Sequence, residues 1–202
     1  MGDAETTRHL RYAGRVGAEV SAECGTRNAE FKKLPFVTLT PNAYIALGSN
    51  LGDSLALLRV AMARLQAFSD RPLLKSSLWQ STPVDCPPGS PLFVNAVVLL
   101  NPRPDESPES LLEKLQVLEQ EFGRGPKKVL NEARPLDLDL IAFGTETRLA
   151  PRLTLPHPRA HQRRFVLQPL SELAPELILP GQTKTVLELL SALGKDEILR
   201  RL

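Results

Sequence analysis

The sequence predicts a layered fold of the α+β or α/β class, in which helices cover a sheet. Short apolar runs bounded by turn residues are typical of buried strands, and longer segments with apolar residues at helical spacing are typical of helices. These segments follow one another as strand, helix, strand, strand, helix, strand and helix. The 202 residues include 42% hydrophobic and 24% charged side chains, which excludes fibrous, collagen-like and wholly disordered proteins.

The first 41 residues differ from the rest of the chain. They contain only three leucines among scattered charges, and no strand or helix period is sustained. We therefore expect residues 1–41 to be a disordered or loosely attached extension and residues 42–202 to form the folded domain.

Each element after Pro41 is predicted from its apolar period and its boundary residues. Asp53 and Ser107 are placed to cap helices, and Pro108 follows Ser107 in the first turn, where its missing N–H costs nothing. Pro169 is expected to kink or end the helix that contains it. The predicted elements are strands at Ala43–Leu47, Leu74–Gln80, Phe93–Leu100 and Leu136–Phe143, and helices from Asp53 to about Phe68, from Ser107 to Gly123, from Arg159 to Leu173 and near Val186–Leu193.

Charge and cysteine content narrow the class of function. The net charge of +2 gives no whole-chain field that would attract nucleic acid or a membrane surface. Cys24 and Cys86 lie far apart and form no CxxC pair, which fits a reducing compartment. No apolar run approaches the roughly 18 residues of a membrane helix. We expect a cytoplasmic enzyme or binding protein without nucleic-acid or membrane partners.

The chemistry is expected around two carboxylates, Asp137 and Asp139. Residues two apart on a strand point to the same face, and two such anions repel unless water, a basic group or a divalent cation offsets their charge. A solvated edge strand would explain the pair alone, but basic residues flank it on both sides. Carboxylates between arginines fit Mg²⁺ and a polyphosphate ligand. These basic residues are Arg124, Lys127, Lys128, Arg134, Arg152, His157, Arg159, Arg163 and Arg164.

Six sequence blocks stand in an order that is typical of one known family. The blocks are Ala43–Gly52, Ser81–Pro83, Phe93–Ala96, Gln116–Arg124, Arg134–Asp139, and Leu155–Pro158 together with Arg163–Leu170. They resemble the family of 6-hydroxymethyl-7,8-dihydropterin pyrophosphokinases, and the resemblance covers about Asn42 to Gly181. It implies a ferredoxin-like α+β sandwich with a mostly antiparallel sheet, and transfer of the pyrophosphoryl group of ATP to the hydroxymethyl group of the pterin in folate biosynthesis.

The resemblance also implies roles for individual residues. It assigns two Mg²⁺ ions to Asp137 and Asp139, and makes Arg124 and Arg134 the catalytic arginines. The implied pterin-binding residues are Thr82, Pro83, Phe93, Asn95 and Phe165, with the two phenylalanines stacking on the pterin. The implied ATP-binding residues are Gln116, Glu119, Lys127, Arg134, Arg152, Thr154, His157 and Arg163. A monomer that binds ATP and a reduced pterin is expected.

The chain departs from the family before the two aspartates. Leu130–Ala133 lacks the tryptophan that many members carry there, and Pro126 stands where many have a second arginine, with Lys127 beside it. Two other functions therefore stay open on the sequence. One is another Mg²⁺-dependent phosphoryl or nucleotidyl transferase, and the other is a binding module without activity.

Overall fold

The computed structural model describes residues 41–125, 132–194 and 198–202. The predicted extension at residues 1–41 therefore lies almost wholly outside the described residues. Lys127 also lies outside them, as do Leu130 and Asn131 of the segment Leu130–Ala133. None of the helices in the described ranges is long and apolar enough to cross a membrane.

The described elements are eight strands and four α-helices. The strands are β1 (Ala43–Ser49), β2 (Leu74–Lys75), β3 (Trp79–Ser81), β4 (Phe93–Leu100), β5 (Asp137–Phe143), β6 (Arg148–Leu149), β7 (Thr154–Leu155) and β8 (Leu199–Arg201). The helices are α1 (Ser54–Leu65), α2 (Pro108–Glu121), α3 (Arg164–Leu173) and α4 (Val186–Ala192), with 3₁₀ turns at Gln66–Phe68 and Ala160–Gln162.

Six strands form the main sheet, in the order β5–β1–β4–β3–β8, with β2 also pairing with β4. All of the pairings described within it are antiparallel. β4 lies near the centre, and every one of its eight residues is buried, which explains why all of them except Asn95 are apolar. Because α1 and α2 pack on one face of the sheet and α3 and α4 on the other, the domain has three layers, and the predicted α+β class is confirmed.

The two faces of the sheet are set by the alternation of side chains along each strand. Ile45 and Leu47 of β1 join the core beneath α1 and α2, whereas Tyr44 joins the core beneath α3 and α4. The same alternation sends Leu138 to the α1–α2 core. Its neighbours Asp137 and Asp139 therefore point to the face that α3 covers.

Helix capping follows the prediction. The Asp53 side chain accepts a hydrogen bond from the Ala56 N–H at 3.1 Å, and that of Ser107 accepts one from the Ser110 N–H at 3.1 Å. Ser110 also bonds back to the Ser107 N–H and completes a capping box. Gly123 follows α2 with φ +88°, which a residue without a Cβ adopts freely.

Three sequence predictions need correction. Leu74–Gln80 is not one strand, because the segment pairs with β4 only as the short strands β2 and β3. The predicted helix Arg159–Leu173 begins at Arg164, after a 3₁₀ turn. Of the two outcomes expected at Pro169, the end of the helix is wrong, since α3 continues to Leu173 with Pro169 buried inside it, and the kink stays a prediction.

The remaining differences are elements that the sequence did not predict. β6 and β7 form a small hairpin, and β8 adds an edge strand beside β3. Glu172 of α3 ties this side of the sheet to the helix layer, since its carboxylate accepts hydrogen bonds from the Trp79 indole N–H at 2.8 Å and the Ser77 N–H at 2.7 Å.

Replacing Leu115 with alanine is expected to lower the free energy of unfolding by about 2–5 kcal/mol. Leu115 is fully buried between α2 and the sheet, so the change removes core contacts and leaves a cavity. Val117→Ala on the same helix is the matched control, because Val117 is 53% exposed. Urea unfolding of both variants measures the difference, and equal losses would contradict the assigned core.

Candidate functional site

The predicted site residues gather where β1, β4 and β5 lie side by side under the start of α3. Gly48 of β1 is paired with Asn95 on one side and with Asp137 on the other. A Cβ at Gly48 would lie 3.5 Å from the Asn95 Oδ1 atom and 3.9 Å from the Asp137 Cβ atom. Because glycine has no Cβ, the backbone at Gly48 leaves open space between the Asn95 amide and the Asp137 carboxylate. The sequence did not reveal this role.

An aromatic cleft opens above this floor. Phe93 and Asn95 come from β4, Thr82 follows β3, and Phe165 comes from the first turn of α3. The charged residues Asp137, Asp139, Arg134 and Arg163 line the same cleft. Four of the five predicted pterin-binding residues thus line one cleft with both aspartates. The exception is Pro83, which precedes the lining residue Val84.

Asn95 is the buried polar group of the aromatic cleft. Its side chain is 4% exposed, and its Nδ2 donates to the Ser81 Oγ at 2.9 Å. Ser81 is likewise buried, so the contact fixes the orientation of the amide without using its carbonyl oxygen. An amide held in this way can bind the hydrogen-bonding edge of a flat heterocycle lying between apolar walls.

Two arginines hold the carboxylate of Asp137. Arg124 Nη1 lies 2.8 Å from Asp137 Oδ1, and Arg134 Nη2 lies 2.9 Å from Asp137 Oδ2. These pairs place both predicted catalytic arginines at the same carboxylate. The sequence suggested two repelling aspartates among basic residues, whereas the structure neutralises one of them by direct contact.

Arg134 is positioned by its backbone as well as by Asp137. Its peptide N–H donates to the Asn50 Oδ1 at 2.9 Å, and its carbonyl accepts from the Asn50 N–H at 3.1 Å. The guanidinium carbon lies 5.7 Å from the centre of the Phe93 ring, at cation–π distance. Its buried Nε has no hydrogen-bond partner among the described residues, so a donor remains for a bound ligand.

Asp139 is held less closely than Asp137. His157 Nε2 lies 4.0 Å and Arg163 Nη1 3.9 Å from its Oδ2. Desolvation, together with repulsion from Asp137, raises the pKa of Asp139. His157 Nδ1 accepts from the Arg159 N–H at 3.3 Å, so a neutral imidazole carries its proton on Nε2, facing Asp139. Desolvation lowers the pKa of His157, against the opposing effect of Asp139.

A basic cleft shares both aspartates with the aromatic cleft, and a third cavity shares Asp139 with it. The walls of the basic cleft are Arg124, Arg134, Asp137, Asp139, His157, Arg159 and Arg163. The third cavity lies along α2, and Gln116, Glu119, Arg124 and Asp139 are among its walls. Most of the predicted ATP-binding residues therefore line these two cavities. Among the described residues, Arg152 and Thr154 lie on neither, and Lys127 is outside the described ranges.

The donor set fits a hard divalent cation that is completed by other ligands. In the described ranges no group of three or more histidine, cysteine, aspartate or glutamate side chains could hold a metal ion. Two carboxylates with oxygen donors alone suit Mg²⁺, which keeps waters and is usually shared with substrate phosphates. The aromatic cleft, the two aspartates and the basic cleft together are typical of one class of protein, the kinases that transfer phosphoryl groups.

Comparisons with known proteins agree with that class. The family model described as 7,8-dihydro-6-hydroxymethylpterin-pyrophosphokinase matches residues 44–175. The chain is 37% identical over 159 residues to the 2-amino-4-hydroxy-6-hydroxymethyldihydropteridine pyrophosphokinase of Haemophilus influenzae, covering 78% of this chain and 96% of that protein. It is 38% identical over 154 residues to the enzyme of that name from Synechocystis, covering 73% and 74% of the two chains. The chain belongs to the 7,8-dihydro-6-hydroxymethylpterin-pyrophosphokinase family.

A solved structure supports the fold. The crystal structure of Plasmodium falciparum HPPK-DHPS A437G with SDX-DHP matches with a TM-score of 0.61 at 15% identity. The match covers 75% of this chain but only 45% of that longer one. At this identity the likeness concerns the fold alone, and it confirms the ferredoxin-like α+β architecture that the family resemblance predicted.

Proposed function

We propose that this chain transfers the pyrophosphoryl group of ATP to 6-hydroxymethyl-7,8-dihydropterin, as a step of folate biosynthesis. The hydroxymethyl oxygen attacks the β-phosphorus, and the bond from that phosphorus to the oxygen bridging the α- and β-phosphates breaks. The products are the pterin diphosphate and AMP, which keeps the bridging oxygen, and the hydroxyl proton passes to solvent. The proposal also places the protein in the cytoplasm and treats it as a monomer.

The observation that carries the proposal is the shared wall of the clefts. Phe93, Asn95 and Phe165 line the aromatic cleft, and Asp137 and Asp139 line both this cleft and the basic cleft. A flat heterocycle among the aromatic residues would direct a substituent toward the carboxylates and arginines. Transfer between two bound substrates requires such an adjacency, because catalysis of this kind depends on positioning and charge neutralisation.

Mg²⁺ is the proposed cofactor, as two ions held by Asp137 and Asp139 and by ATP phosphates. When bound, it would neutralise the charge that develops on the phosphate oxygens during transfer. Asp139 supports this assignment, because its contacts with His157 and Arg163 are long and leave its carboxylate open to a cation. A cation at Asp137 would displace Arg124 and Arg134 from that carboxylate, and both guanidiniums would then be free to contact the phosphates of ATP.

The basic cleft is the proposed site for the triphosphate. Arg124 and Arg134 would act on the transferred group, while His157 and Arg163 would contact neighbouring phosphate oxygens. Gln116, Lys127, Arg152 and Thr154 complete the proposed ATP contacts, and Thr82 and Pro83 the pterin contacts. Glu119 belongs to the ATP side through its ion pair with Arg124. Residues 1–41 are proposed to take no part, since all of these positions follow Asn42.

Product analysis tests the function directly. The protein is incubated with Mg²⁺, ATP and 6-hydroxymethyl-7,8-dihydropterin, and the nucleotides are separated by ion-exchange chromatography. AMP is expected, in equal amount to the pterin diphosphate and only when the pterin is present. ADP as the product would favour another phosphoryl transferase, and no nucleotide product would favour a binding module.

Replacing Asn95 with alanine is expected to raise the KM for the pterin by roughly 10- to 100-fold, while the KM for ATP stays near its original value. The reason is the loss of a buried amide that the Ser81 hydroxyl holds in one orientation. Steady-state kinetics with each substrate varied in turn measures the two constants. Asn101→Ala, at the other end of β4, is the control, and an unchanged pterin KM in Asn95→Ala would contradict the assignment.

A further inference from the structure

Glu119 is a buried acid at the last turn of α2. Its exposure is 5%, and it is the one charged residue among the buried polar side chains of the described ranges. Most surface helices turn their glutamates to water, so a glutamate in this position needs partners that offset its loss of hydration. The partners of Glu119 belong to the segments that carry the candidate catalytic groups.

One partner is the backbone of β5 between the two aspartates. Leu138 N–H donates to Glu119 Oε1 at 2.7 Å. β5 is the last strand on its side of the sheet, so this N–H has no further strand to pair with. The glutamate thereby fixes the part of β5 from which Asp137 and Asp139 project.

The other partner is Arg124, which Glu119 holds twice. The peptide N–H of Arg124 donates to the Glu119 carbonyl at 3.0 Å, and its guanidinium forms an ion pair with Glu119 Oε1 through Nη1. The same Nη1 atom lies 2.8 Å from Asp137 Oδ1. A single guanidinium nitrogen is therefore shared between Glu119 and Asp137.

Direct contact between Glu119 and ATP is a weaker explanation of this geometry. Oε1 already accepts from two donors, and a carboxylate beside a triphosphate would repel it. Although the residue lines the cavity along α2, its side chain is 7% exposed. The carboxylate is turned toward the protein, which favours a role that acts through Arg124.

We propose that Glu119 is a positioning residue, which retains the Arg124 guanidinium when a divalent cation takes the Asp137 carboxylate. The inference rests on the proposed function, in which Asp137 binds the cation. Arg124 and the cation compete for the Asp137 carboxylate. Glu119 gives Arg124 a second carboxylate partner, to which the cation does not bind. Without that charge, Arg124 keeps Asp137 as its carboxylate partner and the cation binds less readily.

Mn²⁺ titration followed by electron paramagnetic resonance tests this competition at pH 8.5 without turnover. Mn²⁺ serves as a paramagnetic probe for a magnesium site. Glu119→Gln keeps an acceptor for the Leu138 N–H but removes the charge, and it is expected to raise the Kd for Mn²⁺ by roughly five-fold or more. Arg124→Gln is expected to lower the Kd, because it removes the competitor at Asp137. Glu121→Gln is the matched control, because Glu121 lies on the same helix as Glu119 but pairs with Arg64 at the surface. This variant should leave the Kd for Mn²⁺ unchanged.

The double variant Glu119→Gln/Arg124→Gln separates positioning from simple charge. If Glu119 acts through Arg124, its effect on the Kd disappears once Arg124 is replaced. An effect of the same size in both backgrounds would overturn the proposal, as would an unchanged Kd in Glu119→Gln. Asp137→Asn tests the underlying cation assignment. If that variant bound Mn²⁺ as the original protein does, the cation site itself would be wrong, whatever Glu119 does.

Discussion

Replacing Asp137 with asparagine is expected to abolish AMP formation, with a fall in kcat of at least about 1,000-fold. The substitution removes the charge that would bind the cation and that positions Arg124 and Arg134 in the free protein. A nucleotide assay at saturating ATP, pterin and Mg²⁺ measures the loss. Turnover within about tenfold of the original would contradict the metal role.

The choice of asparagine follows from the ion pairs. On the sequence alone, Asp137→Ala would be expected to leave the fold intact, since it removes one of two repelling carboxylates. In the structure the Asp137 carboxylate pairs with both Arg124 and Arg134. Alanine would leave both guanidiniums without that partner, and the free energy of unfolding would fall. Asparagine keeps an oxygen for one of them. Thermal unfolding should therefore shift less in Asp137→Asn than in Asp137→Ala, and the exposed Asp105→Asn is the control for both.

Replacing Arg134 with alanine is expected to lower kcat by about 1,000-fold, within the range for arginines that act on a transferred phosphoryl group. Its guanidinium lies between the Asp137 carboxylate and the Phe93 ring, and so between the proposed phosphate and pterin positions. Arg134→Lys should recover only a small part of the activity, because an ammonium keeps the charge but not the planar fork of donors.

The control for Arg134 is an arginine on a surface loop. Arg103 lies 3.7 Å from Asp70 in an exposed pair, and Arg103→Ala should keep full activity. Single-turnover kinetics separates transfer from product release in all three variants. If Arg134→Lys restored the original rate, charge alone would suffice and the fork geometry would be irrelevant.

The elements with a strong local period were the ones that sequence could predict. α1 and α2 have capping residues and an apolar stripe, and β4 is an apolar run that only Asn95 interrupts, so local chemistry decides their ends. β8 was missed because Leu199–Arg201 has no strand period and forms through pairing with a strand more than a hundred residues earlier. The early start predicted for α3 arose because its apolar spacing extends into a segment that forms a 3₁₀ turn.

The candidate site was predictable as a set of residues rather than as an arrangement. The spacing of Asp137 and Asp139 placed both on one face, and the family blocks supplied the surrounding positions. Neither could show that Arg124 and Arg134 pair with the same aspartate, because that contact depends on where α2 ends relative to β5. The sequence also could not show that Gly48 lies between Asn95 and Asp137, because this position follows from the register of β1, β4 and β5.

The hydrogen bond between Trp79 and Glu172 gives the protein an intrinsic fluorescent probe at a defined position. Trp79 is the chain's single tryptophan, so all indole fluorescence comes from one position. That position is paired across the sheet with Asn95, and its indole N–H is fixed by the carboxylate of α3. Emission from this indole therefore senses the junction between the strand that carries Asn95 and the helix that carries Phe165. We expect occupancy of the aromatic cleft to change this emission, and a fluorescence titration without a label would measure the change.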